Sequence, residues 1–207
     1  MNNTKLKHGN ITASLICFLL LALAGVAGAA TINLVGGNAP VPGADDQYQT
    51  NFIAAKVGSP PPGGGAFDYY VDHDPAPGQT FTTGTSPNGY ILTSLALYDG
   101  DDAGGGFGTE TFTLGIYSVS SGTNATLLAT YTSQSVSLTD FNWFVWTNLG
   151  AILQPNTQYA YAMWANGSGW MNLGSTNVNF SGGQVASVPR AGGPMAFSTS
   201  NPWNADF

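Results

Sequence analysis

Basic residues are nearly missing from this 207-residue chain, which sets four Lys and Arg against eleven Asp and Glu. Nucleic acid is gripped by several phosphate-neutralising cations, and an anionic membrane surface by a basic cluster, so neither partner suits this chain. Histidine is limited to His8 and His73, glutamate to Glu110, and cysteine to Cys17. Cys17 falls in a leader segment, so beyond it no disulfide, no Cys–His nucleophile pair and no metal site of several His or Cys can be built. Amphipathic helices are missing too. No stretch after Ala30 repeats apolar residues at a helical period, which argues against an α/β enzyme fold.

What is present begins with a leader. Lys5 and Lys7 precede the apolar run Ala13 to Val26, which ends in Ala27-Gly28-Ala29. A basic start, an apolar middle and a small-residue cleavage site predict a secretory signal peptide over residues 1–29, removed after Ala29. The run is shorter than the ~20 residues of a spanning helix, so no membrane insertion of the mature chain is expected. That mature chain retains Lys56 and Arg190 against all eleven acids, a net charge of −9. The expected location is secreted, extracellular or at the cell surface.

Residues 30–66 predict one or two edge strands, Thr31 to Val35 and Gln47 to Ala54, and a linker at GSPPPGGG (Gly58 to Gly65) that suits neither helix nor central strand. Residues 67–207 carry short strands at close spacing. Gln79 to Thr83 alternates polar residues around Phe81. Pro87-Asn88-Gly89 turns into a long apolar strand, Tyr90 to Tyr98. Phe112, Leu114 and Ile116 alternate with Thr111, Thr113 and Tyr117, giving one apolar face, and Ser120 to Asn124 turns the chain into Leu127 to Ser137. In Phe141 to Leu149, Trp143 and Val145 lie on one face and Phe144 and Trp146 on the other, the pattern of a central strand covered on both sides. Tyr159 to Ala165, Trp170 to Leu173, Gln184 to Val188 and Met195 to Ser198 follow. The prediction is all-β: a two-sheet antiparallel β-sandwich, jelly-roll-like or Ig-like, with no long helix and with Phe112, Leu114, Ile116, Trp143 or Trp146, Leu149 and Tyr159 in the core. Pro155-Asn156 before Tyr159 predicts a tyrosine corner, the hydroxyl returning to the turn backbone.

Three stretches carry a family likeness: Gln79 to Gly84 (QTFTTG), Gly89 to Leu97 (GYILTSLAL) and Leu153 to Tyr159 (LQPNTQY). Over roughly Asp68 to Ala165 the chain resembles the secreted bacterial β-sandwich domains called choice-of-anchor domains, often found with PEP-CTERM sorting tails. The resemblance implies an exported sandwich and says little about ligand. A Val-Pro-Glu-Pro motif, apolar helix and terminal arginines are the expected tail of that family, and the sequence to Phe207 does not contain them.

Two constellations are candidates for chemistry. Asp72 and Asp74, and Asp99, Asp101 and Asp102 in YDGDDAGGGFG, put carboxylates among glycines where a backbone can wrap a hard cation. They predict a structural Ca2+, although the spacing is not that of an EF-hand and a solvated acidic loop explains it equally. Trp164, Trp170 and Trp203 lie beside turns, and Trp164 and Trp170 bracket the hairpin chemistry Asn166-Gly167-Ser168-Gly169. With Asn166 they predict a platform for the apolar faces of a neutral sugar, at least one ring being exposed; otherwise they close the ends of the sandwich. A Ser-His-Asp triad would have to use His73, a turn residue without a nucleophile elbow, and nothing pairs Glu110 with a second carboxyl for glycoside hydrolysis. The leading expectation is therefore a non-enzymatic, carbohydrate-binding module recognising an extracellular polysaccharide or cell-surface glycan. A structural or adhesive spacer without a ligand pocket is the alternative, and an extracellular glycoside hydrolase the third.

Overall fold

The computed structural model describes residues 29–36, 41, 74–98, 108–137, 142–167, 175–176, 183–197 and 204–205. Among them every regular element is a strand: β1 Thr31–Gly36, β2 Ala76–Thr82, β3 Tyr90–Leu92, β4 Leu95–Tyr98, β5 Thr109–Glu110, β6 Phe112–Ser120, β7 Asn124–Thr132 and β8 Val136–Ser137, then β9 Asn142–Thr147, β10 Ala151–Leu153, β11 Gln158–Ala165, β12 Ser175–Thr176, β13 Val185–Val188, β14 Gly193–Pro194, β15 Ala196–Phe197 and β16 Asn204–Ala205. The signal peptide, the second N-terminal strand, the Pro/Gly linker and Trp170 to Leu173 lie outside the described residues.

The fold is a two-sheet antiparallel β-sandwich. One sheet has the order β1-β9-β4, and the ribbon β10-β3 extends from it; the other has seven strands in the order β14-β7-β6-β11-β2-β13-β15. The pairs β12-β16 and β5-β8 are small additions. β9 is central, as its two apolar faces predict, with Trp143, Phe144 and Trp146 all buried. Its Phe144 and Trp146 face the larger sheet. Phe144 meets Phe112 of β6 edge to face at 5.5 Å, and the Trp146 indole N–H donates to the Met163 sulfur of β11 at 3.4 Å. Phe112, Leu114 and Ile116 supply the opposing wall, each fully buried, and burying a side chain of this size is worth about 1.5–3 kcal/mol. Leu149 and Tyr159 complete the predicted core. β1 joins this core across the long N-terminal connection, inserting Ile32 together with Ala30 just before it.

The larger sheet has a second core on its other face. Ala76, Ala125, Ala160, Ala162, Ala186, Tyr117, Trp164, Val188 and Met195 cluster there, and all belong to that sheet or to the link between β14 and β15. β14 pairs with β7 at one edge and β15 with β13 at the other, yet Met195 alone separates them in sequence. The sheet must therefore curl until it nearly closes on itself, and the second core is its concave interior. Small residues permit the curl. One row across four strands reads Ala186, Gly78, Ala162, Gly115, and a Cβ on Gly78 would land on the Tyr161 carbonyl oxygen. A bulge in β7 opposite Ile116 and Tyr117 adds twist, leaving its extra residue Leu128 half exposed.

Two local expectations change. Tyr90 to Tyr98 is not one strand: it breaks at Thr93-Ser94, facing Asn148 at a left-handed φ of 60°, and both paired strands turn the corner together. β6 has two buried faces rather than one, because the curled sheet covers Thr113, Gly115 and Tyr117 as well. Gln79, which alternation sets on the same face as Phe81, is completely buried there, with β11 and β13 on either side of β2. The tyrosine corner forms as predicted: the Gln154 backbone N–H donates to the Tyr159 hydroxyl oxygen at 2.7 Å, and Asn156 takes the left-handed φ of 49°.

Candidate functional site

The end of β11 brings together two residues of the expected sugar platform, Trp164 and Asn166. Antiparallel pairing sets Trp164 opposite Thr113 and Ala165 opposite Phe112, and Asn166 extends the ladder by donating its N–H to the Thr111 carbonyl at 2.9 Å. Alternation along β11 sends Trp164 into the concave interior, where it is 8 % exposed. The Arg190 guanidinium lies 5.5 Å from its ring centroid, a cation–π contact on the face a sugar would need. Trp164 is therefore not an exposed platform.

Arg190 is bound into the same knot by its backbone. Its N–H donates to the Asp74 carboxylate at 3.1 Å, and its carbonyl accepts from the Tyr117 hydroxyl at 3.0 Å. Tyr117 lies across Gly115, whose missing side chain gives the ring its room: a Cβ there would come within 2.6 Å of the hydroxyl. Burial, reinforced by the nearby Asp74 charge and opposed by Arg190, pushes the Tyr117 phenol up to about 12. Its neutral, hydrogen-donating form therefore persists well above the ordinary tyrosine range.

No family model, no curated protein and no solved structure matches the chain. The likeness to choice-of-anchor domains accordingly rests on its three motifs, one of which, Leu153 to Tyr159, forms the tyrosine corner.

Asn166, though exposed, is hydrogen-bonded at both ends of its carboxamide. Its carboxamide oxygen accepts from the Thr113 hydroxyl at 2.9 Å, and its amide donates to the Thr111 hydroxyl at 3.2 Å. Glu110, 9 % exposed, accepts the N–H groups of Thr111 at 2.8 Å and Gly167 at 2.9 Å on one carboxylate oxygen. A Cβ on Gly167 would meet the other oxygen at 2.6 Å, so the glycine lets this turn approach the carboxylate. The Asn-Gly turn is thus clamped onto β5 and β6 through its side chain and its backbone alike.

Of the expected calcium ligands, Asp74 is the one described; it is exposed and takes the Arg190 N–H. Asp72, Asp99, Asp101, Asp102, Trp170 and Trp203 lie outside the described residues. Among the described residues no three His, Cys, Asp or Glu come together as a metal-binding group. Sequence reasoning overlooked Glu110, Arg190 and Tyr117 as members of one end of the fold. Rarity was the signal for the first two: the one glutamate and one of few cations, in a chain where charged residues are scarce, are candidates for an internal partner.

Proposed function

We propose that this chain is an exported, non-enzymatic β-sandwich module that serves as a structural or adhesive spacer at the cell exterior. The observation carrying the proposal is the engagement of Trp164 and Asn166. The residues best placed to greet a sugar spend their ring face and hydrogen-bonding groups on Arg190, Thr111 and Thr113. Glu110 likewise accepts backbone N–H groups, and among the described residues no group of three His, Cys, Asp or Glu gathers around it, which supports a role without glycoside hydrolysis. The leader and the resemblance to choice-of-anchor domains support export. Calcium at Asp99, Asp101 and Asp102 is the ligand this reading expects, as a stabiliser of a loop.

The test is a screen of the processed chain against neutral and acidic polysaccharides, with calcium and with chelator, read for both binding and release of reducing ends. The spacer reading expects neither. Binding that survives Asn166→Ala and is lost in Trp170→Ala would replace it with the carbohydrate-binding reading. Turnover abolished by Glu110→Gln would replace it with the hydrolase.

A further inference from the structure

β1 is seated as a bound peptide is seated. Among the described residues it lies at the edge of its sheet and pairs with β9 alone, and it keeps register over all six residues from Thr31 opposite Thr147 to Gly36 opposite Asn142. Alternate residues anchor it: Ala30 and Ile32 are buried in the inter-sheet core and Leu34 packs against it. On its outer edge the Gln134 carboxamide closes on one residue's main chain, accepting the Ile32 N–H at 3.0 Å and donating to the Ile32 carbonyl at 2.7 Å. Main-chain bonds along one edge, pockets for alternate side chains and a side-chain clamp on the backbone are the elements of strand addition to a sheet.

The seat is made by segments far along the chain. Gln134 is 102 residues from Ile32, and Thr147, whose hydroxyl lies 2.7 Å from that of Thr31, is 116 residues away. Between Gly36 and the next described strand, at Ala76, the sequence runs for 39 residues, a maximum reach of roughly 130 Å. Cleavage after Ala29 would leave β1 as the chain end, free to leave its seat without drawing a loop through the sandwich. We infer that β1 is an exchangeable strand, and that a second copy of this chain supplies it to the seat when copies are crowded together. Every contact of the seat is the same whether the strand comes from the same chain or another, so concentration sets the balance, as in domain swapping. This inference rests on the spacer reading for its setting, and gives that spacer a means of joining to its neighbours.

Cysteine pairs test it, because the processed chain has none of its own. Thr31→Cys and Thr147→Cys are made in separate chains, one carrying a mass tag, mixed in equal amounts over a range of concentrations, and oxidised. Asn33→Cys with Val145→Cys, the next outward-facing register pair, repeats the test in case the first pair folds poorly. Thr31→Cys mixed with Ser121→Cys, on the exposed β6–β7 turn, sets the background. Exchange predicts a tagged–untagged disulfide that rises with concentration and exceeds that background several-fold in either register pair. Disulfides at the background level in both pairs, with Thr31→Cys/Thr147→Cys in one chain closing internally at every concentration, would overturn the inference. That result leaves the spacer reading intact. A chain that exchanges strands yet degrades a polysaccharide keeps the inference and loses the reading.

Discussion

Removing one oxygen from Tyr159 isolates the contribution of the tyrosine corner. Tyr159→Phe keeps the buried ring, its stack on Phe81 at 5.8 Å and the pairing of β11 with β2 and β6. It removes the acceptor of the Gln154 N–H at 2.7 Å and leaves that donor behind the turn at Pro155-Asn156. A buried donor without a partner costs about 1–3 kcal/mol, and the exposed Gln154 side chain lets water relieve some of this, so a loss of about 1–2 kcal/mol is expected. For a domain of this size that lowers Tm by roughly 2–8 °C. Tyr159→Ala would lose the ring as well, at about 3–5 kcal/mol, by the cavity it leaves. Urea titration of the three proteins, with the slope compared as well as the midpoint, measures both steps. Equal stability of Tyr159→Phe and the parent would refute the reasoning, since the hydroxyl would then hold nothing that water does not hold as well.

The second core offers a pH test. Tyr117 titrates near 12 in the folded chain and near 10 when unfolded, so its contribution is complete below pH 10 and is lost as pH rises toward 12. The parent should lose on the order of 2 kcal/mol more than Tyr117→Phe between pH 9 and 11.5 in urea titrations, and parallel losses would count against the buried phenol. Three glycines separate steric from conformational cost in thermal melts. Gly78→Ala should prevent folding or cost well over ~3 kcal/mol, Gly122→Ala about 1 kcal/mol for its φ of 71° in open space, and Gly150→Ala almost nothing. If the Asp99 to Asp102 loop holds calcium, millimolar calcium should raise Tm by mass action and Asp101→Ala should abolish the rise; identical melts with calcium and chelator would remove the metal from the proposal.

Much of the inter-sheet core was legible because its residues are large and alternate. Phe112, Leu114 and Ile116 announce one face, and Trp143 to Trp146 announce a covered strand, without knowledge of their partners. The concave core was not legible, and its chemistry explains why. Ala76, Gly78, Gly115, Ala160, Ala162 and Ala186 are buried because the sheet curls tightly, but small residues carry little hydrophobic signal and glycines read as turns. Closure by β14 and β15 leaves no trace in periodicity, as two-residue strands have none. Trp164 had the same local sequence whether buried or exposed; what covers its ring is Arg190, brought from the end of β13 by a pairing order that alternation does not encode.

Gln79 is a polar side chain that alternation sets on the core face beside Phe81, and the cost of burying it can be measured. Register places it beside Tyr161 on one side and Val185 on the other, on the face that looks toward the smaller sheet. It is fully buried, and both carboxamide atoms lack a hydrogen-bond partner among the described residues. Leaving a carboxamide unpaired in a protein interior costs about 1–3 kcal/mol, whereas an apolar side chain of similar length fills the same space without that penalty. Gln79→Met should therefore hold or raise stability, by up to about 2 kcal/mol, and Gln79→Ala should lower it by opening a cavity. The two substitutions separate volume from polarity, since both delete the amide and only one keeps the bulk. A Gln79→Met chain less stable than the parent by more than about 1 kcal/mol would mean that the carboxamide is bound by something in solution, and would mark the core beside Tyr161 as a polar site rather than packing.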